Sequence, residues 1–157
     1  MRDLTITAII KVYQYDELNE ADRALVTTAK EATARSYVPY SHFSVGAAAL
    51  LGDGTVVSGT NQENAAYPSG LCAERTTLFY ANSRYPDQPV ITLAIAARTE
   101  KDFIDNPIPP CGQVILETEK RYGQPIRILL YGKECIYEIK SIGDLLPLSF
   151  DASAMED

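Results

Sequence analysis

No apolar run in the 157-residue sequence approaches the roughly 20 residues that cross a bilayer, and its start, Met1-Arg-Asp-Leu-Thr5, lacks the long apolar region of a secretion signal. The expectation is a cytoplasmic protein with no membrane partner. Basic residues are in deficit: 14 Lys and Arg stand against 21 Asp and Glu, a formal charge of -7. A field of that sign repels the phosphate backbone, so a nucleic-acid partner is disfavoured. Cysteine is scarce and odd in number, three in all. A disulfide framework is therefore the weaker reading, and reduced thiols or metal ligands the stronger one. Internal repeats and low-complexity tracts are also missing.

The residues that are there, 46% of them hydrophobic, suit one domain over residues 1–157, able to bury about two-thirds of its unfolded surface. Ile6, Ile9, Ile10 and Val12, in a loosely alternating stretch, make residues 1–15 an extended arm or a first edge strand. A helix pattern begins at Asn19 as cap, with Glu20 and Asp22 in the first turn and Leu25, Ala29, Ala32 and Ser36 along one face, and it ends before Pro39. Two β-prone runs flank the Asp53-Gly54 turn and read as a hairpin over 40–60. Val90 to Ala97 is a nearly continuous apolar run, as expected of a buried central strand. A polar loop to Pro110 precedes Cys111, and a further helix through Tyr122 is stopped by Gly123 and Pro125. Strands are expected at 126–131 and 135–140. Residues 142–150 read as a short helical turn folding its Leu and Phe side chains back, and 151–157 as a frayed polar tail. This order implies an α/β sandwich with a mixed sheet, antiparallel at the hairpin and parallel elsewhere.

The chemistry is concentrated between Asn61 and Arg75. Cys72 and Glu74 follow a Ser-Gly turn and open a run of helix formers, so both belong to a first helical turn. Unpaired amides and the helix dipole there favour a thiolate, the form that ligates a metal. Glu74, two residues from a potential ligand, is a proton-capable carboxylate in the same place.

Cys72-Ala-Glu74-Arg75, followed some 40 residues later by Pro110-Cys111 at another helix start, resembles the zinc-dependent cytidine deaminases. Phe43-Ser-Val-Gly-Ala47, Asn61-x-Glu63-Asn64-Ala65, Tyr67-Pro68 and Asp144-Leu-Leu-Pro147 extend the resemblance from about Ala21 to Phe150. It implies a three-layer α/β/α sandwich around a five-stranded mixed sheet. It also implies hydrolytic deamination of free cytidine and deoxycytidine in pyrimidine nucleoside salvage. Zn(2+) is the implied cofactor, with Cys72 and Cys111 as ligands and Glu74 as the catalytic acid/base. Zinc with an open position lowers the pKa of its water from about 15.7 towards about 7. Three thiolates would push that pKa back up, and Arg75 at the same helix start is the candidate cation that tunes the charge. By the same resemblance Phe43 stacks near the pyrimidine, while Asn61 and Glu63 hold the ribose hydroxyls. Two side chains at i and i+2 on an extended segment share one side, as gripping a sugar edge requires. The lone histidine, His42, lies outside the metal element. The chain is thus similar to the all-cysteine, small-subunit branch, which is homotetrameric.

One element departs from that pattern. The family's Pro-Cys-x-x-Cys is here Pro110-Cys111-Gly112-Gln113-Val114, so a valine stands where the third thiolate belongs. Three residues inserted after Gly112 would restore the pattern, and their loss turns a helix by only about 60°. If roughly 10 to 16 kcal/mol of zinc binding is shared by four ligands, one missing ligand costs on the order of 3 to 4 kcal/mol, or about two to three factors of ten in affinity. Cys135, on a later strand, has no ligand spacing to Cys111. Two readings follow: a deaminase, or a weakened or silent nucleoside-binding homologue that kept the sugar site.

Overall fold

The computed structural model describes residues 1–155. Its elements are β1 (Lys11–Tyr13), α1 (Glu20–Ala32), β2 (Ser44–Leu51), β3 (Val56–Thr60), α2 (Ala73–Arg84), β4 (Val90–Arg98), α3 (Gly112–Tyr122), β5 (Arg127–Tyr131) and β6 (Ile136–Ile139). The strands form one sheet in the order β1-β6-β5-β4-β2-β3. Period-two alternation sends neighbouring residues of the central strands to opposite helix layers. Ala47, Ala49 and Leu51 of β2, Leu93 and Ile95 of β4, and Ile128 and Leu130 of β5 pack with Leu78 of α2 and Ile115 of α3. Ala48, Ala94, Ala96 and Leu129 face the other way, onto Leu25, Val26 and Ala29 of α1. The result is the expected α/β/α sandwich, with α1 in one layer and α2 and α3 in the other. Gly46 lets the first of these layers close, since a Cβ there would collide with the Ala29 carbonyl of α1.

The sheet has six strands, not five. The sixth is β1, whose residues Lys11, Val12 and Tyr13 pair antiparallel with Glu138, Tyr137 and Ile136. A Lys11–Glu138 ion pair at 3.4 Å helps fix that register. The expectation of parallel pairing away from the hairpin is also corrected, because among the paired strands of the described residues only β4 and β5 run parallel. The connections explain this. α3 is a crossover of the length a parallel pair needs, whereas β5 and β6 are separated by four residues and must turn back on each other. The helix α2 carries the chain over β2 to β4, which lies antiparallel to β2.

Asn19 caps α1 as expected, accepting the Asp22 amide at 2.8 Å. Asp22 itself does more than complement the dipole. Arg127 of β5 donates from Nη1 to Asp22 Oδ1 at 2.8 Å and from Nε to Glu138 Oε2 at 2.8 Å. The Asp22 contact above all, then Glu138, raises the Arg127 pKa further above its already high range. The cluster ties the start of α1 to β5 and β6.

Past β6, residues Ile142–Asp144 form a single turn, and Leu145 and Leu146 pack on the core. Leu148 and Phe150 do not fold back: they are 84% and 58% exposed. Asp151 pairs with Lys120 at 3.0 Å and opens a turn over Ala152–Met155, so this part of the expected tail is attached to α3. Its last two residues, 156 and 157, lie outside the described residues.

Candidate metal centre and active site

Each of the two metal-capable cysteines stands at the N-cap position of a helix, and the Cys72 sulfur also accepts a capping hydrogen bond. Cys72 is the N-cap of α2, in extended backbone, and its Sγ accepts the Arg75 amide at 3.4 Å. Cys111 is the N-cap of α3. The approach to α2 is held by a backbone exchange between Gln62 and Leu71, 2.9 Å in each direction. This places the Asn61–Glu63 segment beside the Cys72 turn. A sulfur at such a cap sits near unpaired N–H groups and the positive end of the helix dipole, which favours the thiolate.

Cys72 Sγ, Cys111 Sγ and a Glu74 carboxylate oxygen lie within 4.8 Å of one another. Glu74, in the first turn of α2, is 4% exposed. Its Oε1 accepts the Cys111 amide at 3.1 Å and so joins the mouth of α3 to that of α2. Two sulfurs and a carboxylate oxygen are donors that zinc takes, and bonds of about 2.0 to 2.3 Å put the ligand atoms of a tetrahedral site roughly 3.5 Å apart. The cluster fits such an ion with modest tightening. Val114, three residues after Cys111 on the same helix face, is half-buried against the core and offers no donor. Cys135 is half-buried just before β6 and is not part of the cluster. His42 sits in a loop at φ 56°, 3.2 Å from Glu100.

The ionisation of one thiol is coupled to that of the other. The Cys111 hydrogen bond pulls the Cys72 thiol down to about 7, aided by the Arg75 amide and opposed by burial. The same contact, then burial, holds Cys111 above the ordinary thiol range. The pair therefore titrates as a unit, with Cys72 a thiolate above about pH 7 and Cys111 still protonated. Alkylation of metal-stripped protein should rise through pH about 7, against about 8.5 for a free thiol. Cys111→Ala should move that midpoint upward, and an unchanged midpoint would rule out the coupling.

Next to this cluster lies a cleft of about 470 Å³, lined by Asn61, Glu63, Arg75, Tyr40 and Tyr67 among others. Arg75 is the link between the two: its Nη2 donates to the Gly70 carbonyl at 3.0 Å, and its charge favours the thiolate of Cys111. Asn61 and Glu63 both turn towards the loop before β2, as their i and i+2 spacing requires. Asn61 accepts the Val45 amide and donates to the Phe43 carbonyl, both at 2.9 Å. Glu63 accepts the Tyr40 amide at 2.9 Å and the Ser41 hydroxyl, and the Ser41 contact keeps its carboxyl below the usual range. Phe43 is half-buried and does not line the cleft. Tyr40 and Tyr67, edge to face at 6.0 Å, do line it. Sequence reasoning gave them no role, and two aromatics bracketing the Asn61–Glu63 partners were the available signal.

Residues 19–122 match the family described as the cytidine and deoxycytidylate deaminase zinc-binding region. The chain is 37% identical over 133 residues to the cytidine deaminase of Halalkalibacterium halodurans, covering 85% of this chain and 96% of that one. It is 37% identical over 132 residues to the cytidine deaminase of Mycobacterium tuberculosis, covering 82% and 86%. Among solved structures, the cytidine deaminase of Burkholderia pseudomallei superposes with a TM-score of 0.68 at 37% identity, over 85% of this chain and 100% of that one. The Mycobacterium tuberculosis enzyme gives 0.65 at 32% identity, over 85% and 99%. With its paired helix mouths and their two thiols and one carboxylate, the chain belongs to the zinc-binding cytidine and deoxycytidylate deaminase family.

Proposed function

We propose that the protein hydrolyses free cytidine and deoxycytidine to uridine and deoxyuridine, releasing ammonia, in pyrimidine nucleoside salvage. The observation that carries this is the convergence of Cys72, Cys111 and the buried Glu74 within 4.8 Å, beside a cleft of nucleoside size. Cys72 and Cys111 are the residues that would hold zinc, which when bound supplies Lewis-acid activation of water at neutral pH. Glu74 takes a proton from the attacking water and returns it to the leaving amine at C4 of the base. The Cys111 amide fixes one oxygen of that carboxylate. Arg75 offsets the negative charge of the two thiolates.

Asn61 and Glu63 bind the ribose hydroxyls, exchanging part of their present contacts with residues 40–45 for the sugar. Phe43, whose carbonyl is held by Asn61, sets the pyrimidine side of that loop. The exposed Phe79 and Tyr80 of α2 support assembly into a homotetramer. Free thiols at Cys72 and Cys111 support a reducing, cytoplasmic setting. No helix among the described residues is long and apolar enough to cross a membrane. The net charge of -7 speaks against polynucleotide substrates. A silent homologue is the weaker reading because the thiols and the carboxylate remain assembled. Metal analysis and the loss of cytidine absorbance test the proposal. Near one zinc per chain with steady turnover is expected, whereas a metal-free protein that binds cytidine without converting it would refute it.

A further inference from the structure

We infer that in this chain Glu74 is itself a metal ligand, completing a two-thiolate, one-carboxylate site in place of the absent third thiolate. The inference rests on the zinc reading above and says how this sequence can sustain it. Two thiolates alone leave a tetrahedral cation two positions short, and catalytic zinc sites keep three protein ligands with one position open. Among the described residues Glu74 is the single further donor in the cluster. Val114 has no donor, Cys135 stands apart, and His42 belongs to a loop with Glu100.

The state of Glu74 points the same way. A carboxylate only 4% exposed is costly unless paired. Yet among the described residues its one hydrogen bond is from the Cys111 amide to Oε1, and no ion pair reaches it. The neighbouring guanidinium of Arg75 is turned to the Gly70 carbonyl instead. The two sulfurs within 4.8 Å of it add negative charge when ionised. A buried, unpaired carboxylate facing two thiols is the environment a divalent cation neutralises. The grip on the ion and the handling of the proton then fall to one residue, where three thiolates would leave Glu74 free for the second task.

Zinc affinity, measured by chelator competition on the full chain, tests this without relying on turnover. Glu74→Gln keeps the size of the side chain and an oxygen for the Cys111 amide, but its carboxamide is a poor zinc ligand. It is expected to weaken zinc binding about a hundredfold or more, consistent with one of a few ligands lost. In a Val114→Cys background, where a thiolate is restored three residues after Cys111, the same change is expected to cost less than about threefold. Should Val114→Cys fail to fold, Glu74→Asp serves instead. It keeps the charge but draws it back by one methylene, and is also expected to lose affinity. Wild-type affinity in Glu74→Gln or Glu74→Asp would overturn the inference while leaving the deaminase reading intact. Zinc held through Glu74 with no cytidine turnover would sink the deaminase reading and leave the ligand in place. A wild-type chain that takes up no zinc would defeat both.

Discussion

Glu74→Gln assayed at saturating zinc is expected to lower cytidine turnover by about two to four factors of ten, the usual contribution of a positioned acid/base, with KM changed little. Saturating metal matters because it separates loss of the proton carrier from loss of the ion. The carboxamide still offers an oxygen to the Cys111 amide, 3.1 Å from Oε1 in the native chain, so the mouth of α3 is held as before. The residues assigned to the sugar, Asn61 and Glu63, lie on a separate segment and hydrogen-bond to residues 40–45, not to Glu74, among the described residues. Ground-state binding should therefore survive, and the loss should fall on kcat. A fall of only a few-fold would mean that another group moves the proton. The Cys111 thiol, inside the same 4.8 Å cluster and held above the ordinary thiol range, would be the one to examine. A large rise in KM with kcat preserved would instead assign Glu74 to binding.

The parts of this site that were legible in the sequence are those set by local chemistry. A cysteine after a Ser-Gly turn and before Ala73-Glu-Arg belongs to a helix start by its neighbours alone, and the structure puts it one residue outside the expected first turn, at the N-cap of α2, which starts at Ala73. The same holds for Cys111 before α3 and for Asn19 before α1. The Asp53-Gly54 turn declared its hairpin, with Gly54 at φ 89° where glycine has no steric cost. Properties decided by distant partners were not legible. Nothing local shows that the Arg127 side chain meets Asp22 and Glu138, or that a three-residue β1 adds to β6. Strand direction was misread because helical crossovers were counted and the short β5–β6 link was not weighed. Leu148 and Phe150 were expected to fold back on hydrophobicity alone, and exposure is a tertiary outcome. Phe43 was placed by resemblance, whereas the presence of Tyr40 and Tyr67 in the cleft lining depends on how two distant loops come together.

Glu119→Ala is expected to destabilise the fold by about 3 to 5 kcal/mol. Glu119 lies in the last turns of α3, where a negative charge is opposed by the helix dipole, and it is only 8% exposed. Its hydrogen bonds explain why it is tolerated. Oε1 accepts the Ile126 amide at 2.9 Å and the Ile142 amide at 3.0 Å, and Oε2 accepts the Ser141 hydroxyl at 2.8 Å. One carboxylate thereby ties the end of α3 to the entry of β5 and to the turn after β6. Alanine would leave two amides without acceptors, in residues 1% and 0% exposed, at about 1 to 3 kcal/mol each. Glu119→Gln keeps an acceptor oxygen and should cost only about 1 kcal/mol. Glu117→Ala, on the exposed side of the same helix, should stay within about 0.5 kcal/mol. At about 2 to 4 °C per kcal/mol for a chain of this size, the alanine variant at position 119 should melt about 10 °C lower at matched protein concentration. A drop of under about 3 °C would mean that these amides find water on their own. The carboxylate would then be incidental, and α3 would owe its position to the Glu74–Cys111 contact at its other end and to packing.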